Sequence, residues 1–164
     1  MADKHSKEVR SYNMSRIRSK DTKPEEIVRK YLFSHGFRYR KNDSRYPGKP
    51  DIVLPKYRTV IFVNGCFWHK HEGCKYFVWP KSNEEFWKKK IHSNVARDRQ
   101  NYRILEKQGW NVIVVWECQL KKRICESTLK DLITQIKNPT GMWFNYKFND
   151  KPTSLCYTDS RNQE

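Results

Sequence analysis

The chain is short of acid. Against 34 Lys and Arg it sets 18 Asp and Glu, a formal net charge of +16 over 164 residues, with the excess spread along the chain rather than held in a tail. It also lacks any long apolar run. The longest, Val60 to Val63 and Val112 to Trp116, are strand-sized, which excludes a transmembrane helix, and nothing reads as a lipid anchor. The opening Met-Ala-Asp-Lys-His has no apolar h-region, so a secretory signal is not expected and the reducing cytoplasm is the default compartment. There the five cysteines point to a metal before disulfides. No internal repeat is visible.

What is present points to a polyanion. A protein that neutralises phosphates releases condensed counterions, so this charge favours strong, salt-sensitive binding to nucleic acid. The length suits one domain with one buried core. Residues 1–20 read as a basic arm (Arg10, Arg16, Arg18 and Lys20, with Met14 and Ile17 as the larger apolar residues). Residues 21–138 carry the patterned sequence, and residues 139–164 are a segment rich in Pro, Gly, Asn and Asp with aromatics at Trp143, Phe144, Tyr146, Phe148 and Tyr157, expected to be ordered in part.

Asp21-Thr22-Lys23-Pro24-Glu25, followed by Ile27, Val28, Tyr31 and Leu32 at helical spacing, predicts a capped helix from about Pro24 to His35 that stops at Gly36. Strands are expected at Phe37 to Arg40, Asp51 to Leu54 and Arg58 to Asn64, the last two joined as a hairpin through Pro55-Lys56-Tyr57. A long helix follows, with Phe86, Trp87, Ile91, Val95, Tyr102 and Leu105 near a helical period and Gly109 as its stop. Trp110 to Glu117 reads as a buried strand and Ser127 to Ile136 as a capped helix. Together these predict a three-layer α/β domain, a mixed β-sheet flanked by helices.

Residues Cys66 to Pro80 show neither periodicity and are crowded with Cys, His and aromatics. Cys66, His71 and Cys74 form Cys-x₄-His-x₂-Cys, and Cys118 stands at the end of the last expected strand. A Cys₃His set suits a tetrahedral Zn²⁺ with no open position, hence a structural site. The fourth ligand stays open between Cys118 and the nearby His69, and Cys125 and Cys156 are spare thiols. Free cysteines are otherwise ordinary small buried groups.

Two carboxylates stand apart. Asp51 follows Pro50 at a strand start, and Glu25 sits in the first helical turn. Brought to one edge they offer the oxygen ligands Mg²⁺ prefers, and the ion would serve phosphodiester hydrolysis. Singly, each has a plainer explanation as a turn carboxylate and as an acid complementing the helix dipole. His69 is a candidate general base.

These residues carry a resemblance. Arg10-Ser11-Tyr12-Asn13-Met14, Asp21-Thr22 with Glu25, Pro47-Gly48-Lys49-Pro50-Asp51, Gly65-Cys66-Phe67-Trp68-His69, Asn94-Val95 with Arg97-Asp98-Arg99, Gly109-Trp110 and Val115-Trp116-Glu117-Cys118 resemble, in order, the very-short-patch repair (Vsr) endonucleases. The resemblance spans about Arg10 to Leu120. It implies a restriction-endonuclease-like fold and nicking of one strand of duplex DNA 5′ to the thymine of a T·G mismatch left by deaminated 5-methylcytosine.

By position, the resemblance makes Asp51 and the backbone carbonyl of Val63 Mg²⁺ ligands, His69 the catalytic histidine and Glu25 its support. It makes Cys66, His71, Cys74 and Cys118 the Zn²⁺ set, with one extra residue before Cys74. Phe67, Trp68 and Trp87 match aromatics wedged beside the mismatch, and Met14 a residue inserted from the other groove. Asn94, Arg97, Asp98 and Arg99 fall in a block expected to touch DNA. Wedging is physically reasonable, because a weakened pair is cheaper to unstack.

Asn64 stands where better-known members carry a histidine near the scissile phosphate, and Asn cannot act as an acid at neutral pH. Trp110 and Trp116 are expected to pack inside. The implied partners are mismatched double-stranded DNA, a companion cytosine-5 methyltransferase and mismatch-repair proteins, with the chain itself a monomer. Competing classes are a nickase without mismatch preference, a non-catalytic zinc DNA-binding module, and an RNA-binding protein whose aromatics stack on single strands.

Overall fold

The computed structural model describes residues 20–139 together with Ser6, Glu8, Val9, Tyr12, Ser15 and Arg16. Met14 and most of the basic arm, and all of the C-terminal segment except its first residue, including Cys156, lie outside the described residues.

The first helix, α1 (Lys23–Ser34), carries Pro24 in its first turn, and Glu25 reaches back to accept the Thr22 N–H. It buries Val28 and Leu32, and also Glu25 and Arg29. Its end explains why the expected strand at Phe37 is absent. Gly36 adopts φ +82, its N–H returns to the Phe33 carbonyl, and the Phe37 N–H returns to the Leu32 carbonyl. Such a cap consumes the backbone of Phe37 and turns its side chain inward. The ring is buried against Tyr57, with ring centroids 5.1 Å apart. The strand begins only at β1 (Arg40–Lys41).

β2 (Ile52–Leu54) and β3 (Thr59–Asn64) form the expected hairpin, closed by a single 3₁₀ turn over Pro55–Tyr57 and by Arg58 in the left-handed region. After a long irregular loop comes α2 (Glu84–Lys107), then β4 (Asn111–Trp116), a 3₁₀ turn at Glu117–Leu120 and α3 (Cys125–Lys137). Helix α3 starts two residues before the expected Ser127. That hydroxyl does not cap; it donates to the Ile124 carbonyl from within the first turn.

The sheet order is β1-β2-β3-β4, antiparallel except for β3 and β4, which run parallel with Thr59 opposite Asn111 and Asn64 opposite Trp116. Alternation along the strands divides the apolar residues between two faces. Ile52, Leu54, Ile61, Ile113 and Val115 meet Val28 and Leu32 of α1 and Leu129, Leu132 and Ile136 of α3. Val53, Val60, Phe62 and Val112 meet Tyr102 and Leu105 of α2. The result is the expected three-layer α/β arrangement with a mixed sheet.

Trp110 packs as expected, edge-on to Tyr46 at 4.9 Å and under the Arg58 guanidinium. Arg58 also donates to the Gln108 and Gly109 carbonyls and so closes the end of α2. No described helix is long and apolar enough to cross a membrane.

Candidate active site and metal centre

Parallel pairing places the C-terminal ends of β3 and β4 at one edge, Asn64 beside Trp116. Cys66 and Cys118 each stand two residues beyond that pair, so the register alone brings their thiols together. The loop after β3 then turns back: the His71 N–H donates to the Cys66 carbonyl, and Cys74 closes a turn onto the His71 carbonyl. Within that turn Gly73 takes φ +70 with open space where a Cβ would sit, so glycine accommodates the additional residue before Cys74 without strain.

One donor atom from each of Cys66, His71, Cys74 and Cys118 lies within 4.8 Å of all the others. The His71 Nδ1 faces the Cys66 Sγ at 3.6 Å and the Cys118 Sγ at 3.3 Å, and its ring lies flat on the Trp116 indole, centroids 4.1 Å apart and 1° from parallel. Burial pushes the Cys66 thiol up to about 12 and raises Cys118, while burial lowers His71 and favours the neutral imidazole. At Cys74 burial acts upward too, but hydrogen bonds, the Tyr76 amide foremost, outweigh it and lower the thiol. Three clustered thiols, two of which resist ionisation alone, with a neutral imidazole among them, are the donor set a divalent metal completes. His69 is not in this cluster, and Cys125 stays against the α1–α3 core.

Asp51 precedes β2 and lies at the same edge. Its Oδ2 accepts the Val63 N–H at 2.7 Å. Burial pushes its carboxyl up to about 6, the Val63 hydrogen bond opposes this, Glu25 nearby adds to it, and Arg29 and His69 pull it back. The site therefore holds a costly negative charge among oxygen donors, an environment that a small hard cation relieves.

Glu25 is engaged on both oxygens. Oε1 accepts from the Thr22 N–H and hydroxyl, and Oε2 from the Asp21 N–H at 3.0 Å and Arg29 Nη2 at 2.7 Å. That Arg29 nitrogen also reaches the Asp51 carbonyl at 3.4 Å, while Nη1 donates to the Asp21 carboxylate at 2.6 Å. Arg29 is 6% exposed, so a buried guanidinium ties the first helix to the backbone of Asp51. Sequence reasoning missed it; its only signal was a cation four residues after Glu25 on a helix face otherwise apolar.

His69 leaves the loop toward α2, where Asp98 Oδ2 lies 2.5 Å from its Nδ1. One turn earlier on the same helix, the Asn94 amide donates to the Trp68 carbonyl at 3.1 Å and receives Arg97 on its oxygen. Helix α2 thus grips two consecutive loop residues, a role that spacing alone did not reveal. Arg99 lies one position further along. The Asn64 amide is buried and donates to the Tyr102 hydroxyl at 3.1 Å.

The aromatics group on the outer side of this loop. Phe67 stands edge-on to Trp68 and Trp87 at 5.2 and 5.4 Å, and Trp68 lies 5.9 Å from Trp87. All three are half-buried and belong to neither core.

Comparison with known proteins agrees with the arrangement. Residues 2–75 match the family model described as DNA mismatch endonuclease Vsr. The chain is 55% identical over 139 residues to the Type II nicking enzyme V.NmeAIP of Neisseria meningitidis, covering 84% of this chain and 99% of that one. It is 48% identical over 120 residues to V.XorIIP of Xanthomonas oryzae, covering 73% and 88%. To the DNA mismatch endonuclease Vsr of Escherichia coli it is 46% identical over 123 residues, 75% and 78% of the two chains. A three-layer mixed sheet, a Cys₃His cluster at the parallel edge, and identity at this level over most of both chains place the protein in the Vsr family of DNA endonucleases.

Proposed function

We propose that this protein is a divalent-metal-dependent endonuclease that nicks one strand of duplex DNA 5′ to the thymine of a T·G mismatch. The observation that supports it most is the Asp51 carboxylate on the Val63 amide, near enough to feel the charge of His69, a histidine that is itself oriented by the Asp98 carboxylate. The first suits a cation and the second a proton transfer, and hydrolysis of a phosphodiester uses both.

The Asp51 carboxylate and the Val63 carbonyl are the groups that would hold Mg²⁺. When bound, the ion supplies Lewis-acid polarisation of the phosphate and charge neutralisation at the leaving oxygen. Glu25 and Arg29 fix the backbone that presents Asp51. His69 uses its Nε2 to take a proton from the attacking water, while Asp98 at Nδ1 sets the tautomer and steadies the charge that develops. The Asn64 amide, committed to Tyr102, cannot exchange a proton at neutral pH, so the proton for the leaving oxygen comes from solvent.

Cys66, His71, Cys74 and Cys118 would hold Zn²⁺ as a closed structural site that shapes the loop carrying Phe67, Trp68 and His69. Phe67, Trp68 and Trp87 would wedge beside the weakened pair, with Met14 of the arm entering from the other groove. Arg97 and Arg99 would face DNA, and Asn94 and Asp98 serve the interface by holding its loop. A monomeric endonuclease domain over residues 21–138, acting in the cytoplasm with the basic arm laid on DNA, completes the reading. Mismatches of this kind arise at the targets of a cytosine-5 methyltransferase, and mismatch-repair proteins are the natural partners.

The test is strand-resolved cleavage of end-labelled duplexes, T·G against fully paired, in Mg²⁺ and in excess chelator. A Mg²⁺-dependent nick beside the mismatched thymine supports the proposal. Equal nicking of paired DNA replaces it with a nickase lacking mismatch preference, and tight binding with no product replaces it with a binding module.

A further inference from the structure

The aromatic surface does not end at the wedge. Beyond Phe67 it continues to Phe77 at 6.4 Å, from there to Trp79 at 5.0 Å, and on to the His92 ring at 5.7 Å. At the other side Phe86 stands 5.3 Å from Trp87. None of these outer rings is buried, Phe86 is 60% exposed, and none belongs to either apolar core. Rings in mutual contact that do not serve the interior form a surface in need of cover.

The surroundings choose the occupant. Lys88, Lys89 and Lys90 follow Trp87 directly, and Lys89 and Lys90 lie three and four residues beyond Phe86, on its own helix face. Lys75 and Lys81 flank Phe77 and Trp79 in sequence. Among the acids at this end of α2, Glu84 is held by Lys88 at 3.1 Å, and Glu85 does not offset the lysines. An apolar protein partner gains nothing from such a rim, whereas an unpaired strand has π-faces for the rings and phosphates for the lysines.

We propose that Phe77, Trp79 and Phe86 form a stacking site for single-stranded DNA, continuous with the wedge, that holds unpaired bases next to the nick. This rests on the reading of the chain as a DNA nuclease and adds a ligand, unpaired bases beside the nick, that the wedge alone does not take. Stacking tolerates any base, so the site is indifferent to sequence. It also resists salt better than the lysines do, because screening weakens charge contacts first.

The experiment is a fluorescence-anisotropy titration of labelled oligodeoxythymidine with the full chain, without added Mg²⁺, at low and at raised salt. The wild type is expected to keep a salt-resistant component of binding. Trp79→Ala and Phe86→Ala should each weaken that component about tenfold, and Trp79→Phe should retain it. Phe86 is exposed, so its variant does not put the fold at risk. Unchanged affinity in both alanine variants, or complete loss of wild-type binding at raised salt, overturns the proposal. Tighter binding of the corresponding RNA overturns its assignment to DNA. If the oligonucleotide results hold while no duplex is nicked, the stacking site stands and the endonuclease reading falls.

Discussion

Asp98, in the middle of α2, meets His69, in the loop after β3, with Oδ2 2.5 Å from Nδ1. Both are partly screened from solvent, with side chains 17% and 27% exposed. A carboxylate at one imidazole nitrogen holds the proton there and leaves the other nitrogen as the base, so the pair sets both direction and tautomer.

Asp98→Asn removes that bias while keeping size. Single-turnover nicking is expected to fall on the order of 10²-fold or more, with DNA affinity in chelator nearly unchanged. A rate within twofold of wild type would show that Asp98 does not serve His69.

Asp51 makes stability depend on pH. Its folded carboxyl is pushed up to about 6 by burial and by Glu25, so the folded metal-free state binds this proton more tightly than the unfolded chain does. The resulting stabilisation is full below the ordinary carboxylate range and is lost as pH rises through about 6. Asp51→Asn should flatten that decline and stabilise the metal-free protein at neutral pH by on the order of 1–3 kcal/mol. Denaturant melts across the window check this. Nicking by the same variant should vanish.

The Glu25–Arg29 pair is buried on both sides, with side chains 4% and 7% exposed. Arg29→Met would leave the buried Glu25 without its counter-charge, with only the Asp21 and Thr22 donors, at a cost of about 3 kcal/mol. Adding Glu25→Gln should recover part of that loss, a coupling that a double-mutant cycle reads directly. Additive losses would mean that the pair does not interact.

The stacked His71–Trp116 pair reports on the metal cluster. Removing the proposed zinc with a chelator should lower the melting temperature by ~10 °C and change tryptophan emission. Trp116→Phe should abolish most of the emission change while still taking up the metal. Emission that does not respond to zinc would place the metal elsewhere.

Much of this was legible in the chain because it is local. Helical spacing in α1 and α2, the β2–β3 hairpin and the Cys-x₄-His-x₂-Cys loop all lie within short windows, where periodicity and ligand spacing speak for themselves. Cys118 was legible only as a candidate at the end of the last expected strand, with His69 open beside it; the parallel register of β3 and β4 is what brings its thiol to Cys66.

The remainder depends on contacts that no window contains. His69 and Asp98 are 29 residues apart, Arg29 and Asp51 22, and Asn64 and Tyr102 38. Asn94 and Asp98 stood in a block expected to touch DNA; that they hold Trp68 and His69 instead is visible only once the fold turns the helix onto the loop. Phe37 read as a strand residue because the cap that consumes it is a backbone event at Gly36.

The most direct test is the single-turnover rate of nicking on a T·G duplex as Mg²⁺ is titrated, for the wild type, Asp51→Ala and His69→Ala. The wild type is expected to saturate with Mg²⁺. Asp51→Ala should show no nicking at any concentration, and His69→Ala should saturate at a similar Mg²⁺ level with a rate lower by about 10²–10⁴-fold. Full-rate nicking by either variant, or by the wild type in chelator, would contradict a site built on Asp51 and His69.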